Sequence, residues 1–185
     1  MIVTWRSTRI MDNNKNKRRL NFISGEDFYF LAYSILLVLE CLGGTARRIK
    51  DHRKITFLIQ FMTDDRLLSI LSRTITNGVA NPVDRELLFN SFTTAELHKR
   101  EVFKILFSLE RRDLVEIQRT DVAEVLDVTL CKNRLPMKFF ENANFEKERI
   151  NAEKLKRIIP RISALNFDNL IERLYKDRGV QVWAT

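Results

Sequence analysis

Apolar side chains recur every three or four residues along most of the chain, which is the spacing of helices with one buried face. The first such stretch is predicted to start at Ser24, a good helix N-cap, and to end at the pair Gly43-Gly44. The same spacing predicts a second helix over residues 46–62 and a short third helix over residues 64–72. The turn-forming residues that follow, 73–81, predict an internal loop.

A proline marks the next helical region. Pro82 suits the first position of a helix, and residues 83–89 are expected to form one or two turns after it. The sequence Thr93-Thr-Ala-Glu96 has the spacing of a capping box, in which a hydroxyl and a carboxylate satisfy free backbone N–H groups. We therefore expect a separate long helix to begin there and to end near Arg112.

The hydrophobic period changes from helical to extended after this helix. Residues 114–118 and 125–130 favour two strands, and the polar residues between them favour a turn, so the pair predicts a β-hairpin. A helix that runs directly into a hairpin is typical of a winged-helix unit, which is a variant of the helix-turn-helix motif.

Helical spacing returns in the last third of the chain. One helix is predicted over residues 145–159, where Pro160 ends it, and another from the N-cap Asn166 to Gly179. The predicted fold class is mainly α with a β-hairpin, in the form of a winged-helix-like domain followed by C-terminal helices. The predicted divisions are a basic flexible tail over residues 1–23, the winged-helix-like domain over residues 24–135 with its hairpin at about 114–131, and a helical extension over residues 136–185.

The charged side chains are unevenly distributed along the chain, and their positions bear on the expected function. The 185 residues carry a net charge of +8, which alone would favour nucleic acid binding. Residues 1–25 hold six Lys and Arg side chains against Asp12 alone, whereas the remaining residues carry 26 basic and 23 acidic side chains. The stretch Asp12–Arg19 has no apolar residue with which to join a core, so we expect it to be solvated and mobile. Its Lys17, Arg18 and Arg19 are candidate nucleic acid contacts.

The folded part contains one dense basic segment, residues 47–54, at the predicted start of the second helix. It is interpreted either as a solvated helix face or as a phosphate contact that acts together with the tail. The second interpretation makes the basic side chains of this segment candidate nucleic acid contacts; they are Arg47, Arg48, Lys50, Arg53 and Lys54.

The predicted hairpin is acidic, with five carboxylates between residues 113 and 127 against Arg119. A wing of this charge would be repelled by a phosphate backbone, so it favours docking on another protein. Its carboxylates are the candidate partner-docking residues, namely Asp113, Glu116, Asp121, Glu124 and Asp127.

Common catalytic motifs are missing from the sequence, which has neither a phosphate-binding glycine loop nor a dinucleotide fingerprint. His52 and His98 lie among charged residues and are interpreted as surface histidines, and Cys41 as a small buried hydrophobe. We expect no enzyme activity, no cofactor and no metal. The uncharged apolar run over residues 28–39 has 12 residues, about 18 Å as a helix, which is too short to cross a membrane. We expect a cytoplasmic protein.

Three segments give the chain a likeness to a known family. They are the apolar helix Tyr33–Leu42 followed by two glycines, the second helix at Lys54–Phe61, and the stretch Glu101–Val115, in which a long helix runs into a strand. With these features, residues 24–178 resemble the small middle components of bacterial ABC-three-component defence systems, which include the Lamassu-type systems. The resemblance implies a non-enzymatic kleisin-like or winged-helix accessory subunit of an SMC-like ABC ATPase, which acts beside an effector nuclease subunit.

The expected function is therefore an accessory subunit that docks on an SMC-like ATPase in an anti-phage or anti-plasmid defence complex. It would help couple DNA sensing to release of the effector, with non-specific DNA near its basic segments. The alternative is a stand-alone winged-helix transcriptional regulator that places Lys99, Arg100 and Lys104 in the major groove. An enzyme that uses His52 or His98 is the third hypothesis.

Overall fold

The computed structural model describes residues 28–74 and 78–183. The predicted basic tail with Lys17, Arg18 and Arg19, and the predicted helix start at Ser24, lie outside the described residues. Helix α1 covers residues 28–42 and, as predicted, the chain turns at the two glycines. A Cβ atom at Gly43 would lie 2.4 Å from the Leu39 carbonyl oxygen, and Gly44 has a φ of +67°, so the turn requires both glycines.

The described chain is mainly helical, with a small antiparallel sheet of three strands. The elements after α1 are β1 (Arg48–Ile49), α2 (Arg53–Thr63), α3 (Asp65–Arg73), α4 (Pro82–Glu110), β2 (Val115–Arg119), β3 (Leu126–Leu130), α5 (Glu146–Ile158) and α6 (Phe167–Leu174). The strand order is β1-β3-β2, with Ile49 opposite Val128 and Val115 opposite Leu130. The predicted hairpin is confirmed, and a third strand adds to its β3 edge.

That third strand corrects the prediction of a helix over residues 46–62, because α2 begins only at Arg53. Ile49 is fully buried in β1 and pairs with β3, which a helix at this position would not allow. Arg47 and Asp51 flank the strand and both have positive φ values, 49° and 67°. The sheet thus holds the chain extended between two left-handed residues, so tertiary pairing overrides the local helical pattern.

A second correction concerns α4, which is one continuous helix where two were predicted. Asn81 caps it by accepting a hydrogen bond from the Val83 N–H, and Pro82 is its first residue, as expected. Thr93 does not cap a new helix, because its hydroxyl donates to the Asn90 carbonyl oxygen within the same helix. Phe92 and Ala95 are fully buried on either side of Thr93, so the core holds the helix together through the predicted break.

Helix α2 lies at the centre and packs against both α4 and α5. Its Phe57 and Phe61 rings contact Tyr175, which follows α6. Helix α6 is shorter than predicted, since it ends at Leu174 and a single 3₁₀ turn leads on to Gly179. Residues after 136 therefore contribute to the same hydrophobic core as α1 to α4. None of the helices within the described residues has the length and hydropathy needed to span a bilayer.

Candidate docking groove and charged surfaces

An apolar groove lies where the first turns of α1 meet the end of α4 and the segment between β3 and α5. It encloses a volume of about 480 Å³. We call it the aromatic groove, because rings provide much of its wall. Its lining residues are Phe28, Tyr29, Phe30, Ala32, Tyr33, Leu36, Ser108, Leu109, Arg112, Leu114, Phe139 and Phe145.

Tyr33 joins the two sides of the aromatic groove. Its ring stacks on Phe145 with 3.7 Å between the ring centroids, and its hydroxyl donates a hydrogen bond of 3.1 Å to the Phe139 carbonyl oxygen. The Arg149 guanidinium donates to the carbonyl oxygens of Phe140 and Asn142 and so fixes the same loop from the other side. Burial raises the pKa of Tyr33 further above neutral pH, so the phenol is an uncharged hydrogen-bond donor near pH 7. The groove wall is therefore built in advance of any binding.

The rim of the aromatic groove carries two exposed rings. Tyr29 is 71% exposed and Phe30 is 40% exposed. Among the described residues that line the groove, Arg112 alone carries a charge. Rings beside a single cation suit an apolar group that has a carboxylate nearby. The groove was not among the predicted sites, although the aromatic runs Phe28-Tyr-Phe30 and Phe139-Phe140 are visible in the sequence.

The cations of the basic segment 47–54 do not form one exposed patch. Arg47 pairs with Glu40 at 2.6 Å, Arg48 with Asp127 at 2.6 Å, and Arg53 with Asp51 at 2.7 Å. Lys54 is buried, so within this segment Lys50 is the one exposed cation that forms no ion pair with a described residue. The interpretation of this segment as a solvated helix face is wrong, since it forms a strand, a turn and the first residues of α2.

Lys54 is a buried cation in the core of the protein. Only 1% of its surface is exposed, and its Nζ donates a hydrogen bond of 2.7 Å to the Leu165 carbonyl oxygen. Burial lowers the pKa of Lys54 to about 8, against opposing effects of Asp51 and Asp127. Its hydrogen bond ties α2 to the turn that precedes α6.

Stability is expected to rise with pH because of Lys54. In the unfolded chain a lysine keeps its proton up to a pKa of roughly 10.4, whereas in the folded chain Lys54 loses it above about 8. Between these values the unfolded state binds more protons, so increasing pH favours the folded state. From pH 8 to pH 9 we expect the free energy of unfolding to rise by about 1 kcal/mol relative to Lys54→Met. Urea denaturation at each pH measures this, with the exposed-site variant Lys104→Met as the control. If the free energy of unfolding changes with pH in the same way for wild type and Lys54→Met, the prediction is wrong.

The acidic hairpin is exposed except at one position. Asp113, Glu116, Asp121 and Glu124 are exposed, as a docking surface needs. Asp127 is buried instead: besides its ion pair with Arg48, it accepts a hydrogen bond of 2.9 Å from the Asp51 N–H. Asp127 therefore holds β1 to β3, and its carboxylate is not on the exposed surface of the hairpin.

The three cations of α4 that the regulator hypothesis uses do not share one environment. Lys99 pairs with Glu96 at 2.6 Å, and its ammonium lies over the rings of Phe57 and Phe167. Arg100 and Lys104 are exposed. Only two of the three are thus free to approach a DNA groove.

His52 lies inside the protein, which corrects its interpretation as a surface histidine. It is 7% exposed, its Nδ1 accepts a hydrogen bond of 3.3 Å from the Leu126 N–H, and its ring packs on Phe103. Burial lowers the pKa of His52, so it is neutral near pH 7. His98 is partly exposed on α4.

Cys41 is partly buried beside the core, and burial raises the pKa of its thiol to about 11, so it is not a reactive thiolate at neutral pH. Within residues 28–74 and 78–183, no three His, Cys, Asp or Glu side chains are grouped to hold a metal ion.

Comparisons with protein-family models, with curated proteins and with solved structures find no match for this chain.

Proposed function

We propose that the protein is a non-catalytic binding subunit whose aromatic groove receives an apolar segment of another protein. The observation that carries this proposal is the pre-built groove itself, with Tyr29 and Phe30 exposed at its rim and Arg112 beside them. Exposed rings of this kind are costly in water and are typical anchors at protein interfaces. The proposed ligand is an apolar helix or strand with a carboxylate placed to pair with Arg112.

The identity of the partner rests on the family resemblance alone. It makes an SMC-like ABC ATPase the first partner to test and an effector nuclease the second. Two of the four exposed carboxylates of the hairpin, Asp113 and Glu116, offer a second contact region near Arg112, since α4 leads into β2 through residues 111–114. In this proposal the groove supplies affinity, and the hairpin charges help to orient the partner.

The test is co-purification of the full chain with an SMC-like ATPase encoded beside its gene. The double variant Tyr29→Ser/Phe30→Ser is expected to bind this partner at least tenfold more weakly, because it removes two apolar anchors worth about 1 kcal/mol or more each. Both side chains are exposed, so thermal unfolding is expected to stay close to that of wild type.

Leu97→Ser is the matched control, because Leu97 is 79% exposed on α4 and does not line the groove. It is expected to bind the partner as wild type does. If the double variant and Leu97→Ser both bind with wild-type affinity, the groove is not the docking site and the proposal is wrong.

A winged-helix regulator is the second candidate function. It is favoured by α4 running into the hairpin and by β1 completing the sheet, which we propose is a winged-helix-like arrangement. Its recognition helix would present Arg100 and Lys104. The exposed carboxylates of the hairpin and the inward position of Lys99 make this function second to protein docking.

A further inference from the structure

Two segments that are far apart in the sequence form one surface. A Cβ atom at Gly44 would lie 3.2 Å from the Ser163 hydroxyl oxygen, and the Lys54 Nζ bonds to the Leu165 carbonyl oxygen. These two contacts hold residues 44–54 beside the end of the segment 154–165. We call residues 44–54 and 154–165 together the basic surface.

The basic surface has a strong excess of positive charge. Its two segments contain nine Lys and Arg side chains, and Asp51 is their only carboxylate. Glu40, Asp127 and Glu153 reach it from outside and pair with Arg47, Arg48 and Lys156. The segment 154–165 has four cations and no acidic residue of its own.

Four exposed cations of this surface have no ion pair among the described residues, namely Lys50, Lys154, Arg157 and Arg161. Lys154 lies near enough to Asp65 to lower the pKa of that carboxyl, so the other three are the cations tested below. Lys50 is close enough to Lys54 to lower its pKa, and Lys54 bonds to the turn that carries Arg161. Arg157 lies in the last turn of α5, four residues before Arg161 in the chain. The contacts between the two segments therefore bring cations of both into one surface.

We propose that the basic surface binds the phosphate backbone of a nucleic acid duplex without reading its sequence. Clustered lysine and arginine side chains bind phosphates by charge and by release of counterions, and the arginine guanidinium adds paired hydrogen bonds to phosphate oxygens. The site differs from the expected phosphate contact at residues 47–54. Of those five cations only Lys50 is exposed without an ion pair in the described chain, and Arg157 and Arg161 join it from the C-terminal part.

The side chains around these cations favour a nucleic acid over a membrane or a protein partner. Within the described chain, the large exposed apolar side chains lie elsewhere, and none of them belongs to the basic surface. Proteins that bind membrane surfaces insert apolar side chains beside their cations, and protein interfaces need apolar anchors. A basic surface without such groups suits a hydrophilic polyanion.

The experiment measures binding of the full chain to a fluorescent DNA duplex of about 30 base pairs, roughly three helical turns, by anisotropy. The triple variant Lys50→Gln/Arg157→Gln/Arg161→Gln is expected to bind at least tenfold more weakly at roughly 50 mM salt. The slope of log affinity against log salt concentration is expected to become shallower by about 2 to 3, roughly one for each lost phosphate contact. The sequence of the duplex is expected to make no difference.

The matched control removes three exposed cations that lie outside both the basic surface and α4, in the variant Arg134→Gln/Arg173→Gln/Lys176→Gln. It is expected to keep wild-type affinity for the duplex and the wild-type salt slope. If the first triple variant binds the duplex as tightly as this control does, the basic surface is not the DNA site and the proposal is wrong.

Two further probes separate the possible polyanions. Polyglutamate and vesicles of phosphatidylserine and phosphatidylcholine are each expected to bind much more weakly than the duplex at the same salt concentration. If either binds as tightly as DNA, and with the same loss in the triple variant, the surface is not a nucleic acid site. None of these residues lines the aromatic groove, so this proposal and the proposed docking function can fail independently.

Discussion

Replacing Tyr175 by alanine is expected to lower the free energy of unfolding by about 4 kcal/mol, because deleting a buried aromatic ring leaves a large cavity. Tyr175 is fully buried, and its ring contacts those of Phe57, Phe61 and Phe92 at centroid distances of 5.4 to 6.1 Å. The Ser91 hydroxyl lies 3.3 Å from the tyrosine oxygen. Urea denaturation followed by circular dichroism measures the loss.

The same experiment tests the predicted division at residue 136. Because Tyr175 packs against α2 and α4, the variant is expected to unfold in one transition at lower urea for the whole chain. An unfolding curve in which most of the helical signal keeps its wild-type midpoint would show that residues 24–135 fold alone. Tyr175→Phe is the control and is expected to cost no more than about 1 kcal/mol, since it removes only a hydroxyl.

The sequence predicts elements well where local pattern and local capping agree. Asn81 with Pro82, Asn166, and the glycines after α1 each satisfy backbone groups within a few residues, and the structure confirms all three predicted boundaries. The predicted helix boundary at Thr93 is wrong because local capping and core packing disagree there. The capping-box sequence would satisfy backbone groups at a new helix start, but burial of Phe92 and Ala95 in the core favours an unbroken helix.

Strand β1 could not be predicted because it has only two residues and owes its extended form to β3, some eighty residues later in the chain. The candidate sites could not be predicted for the same reason, because they also depend on contacts between distant parts of the chain. Charge counting finds the cations of residues 47–54, but not that Glu40, Asp51 and Asp127 neutralise three of them. The aromatic groove likewise needs α1 and residues 139–145 to meet, which no short-range pattern indicates.

Replacing Asp127 by alanine is expected to lower the free energy of unfolding by about 2 kcal/mol. The change removes the ion pair with Arg48 and the hydrogen bond from the Asp51 N–H. Asp51 has a left-handed backbone, and this bond helps to hold it there. Arg48 is partly exposed and water can replace part of its interaction, so the expected loss is smaller than for a fully buried pair. Thermal and urea unfolding both measure it.

Asp121→Ala is the matched control, because Asp121 is an exposed carboxylate of the same hairpin. Its stability is expected to stay within about 0.5 kcal/mol of wild type. The pair of variants also separates structure from docking: if Asp127 is structural, its variant loses stability, whereas a docking residue would lose only partner binding. If Asp127→Ala is as stable as wild type but fails to bind a partner, Asp127 belongs to the docking surface after all. Strand β1 would then pair with β3 without help from the Asp127 carboxylate.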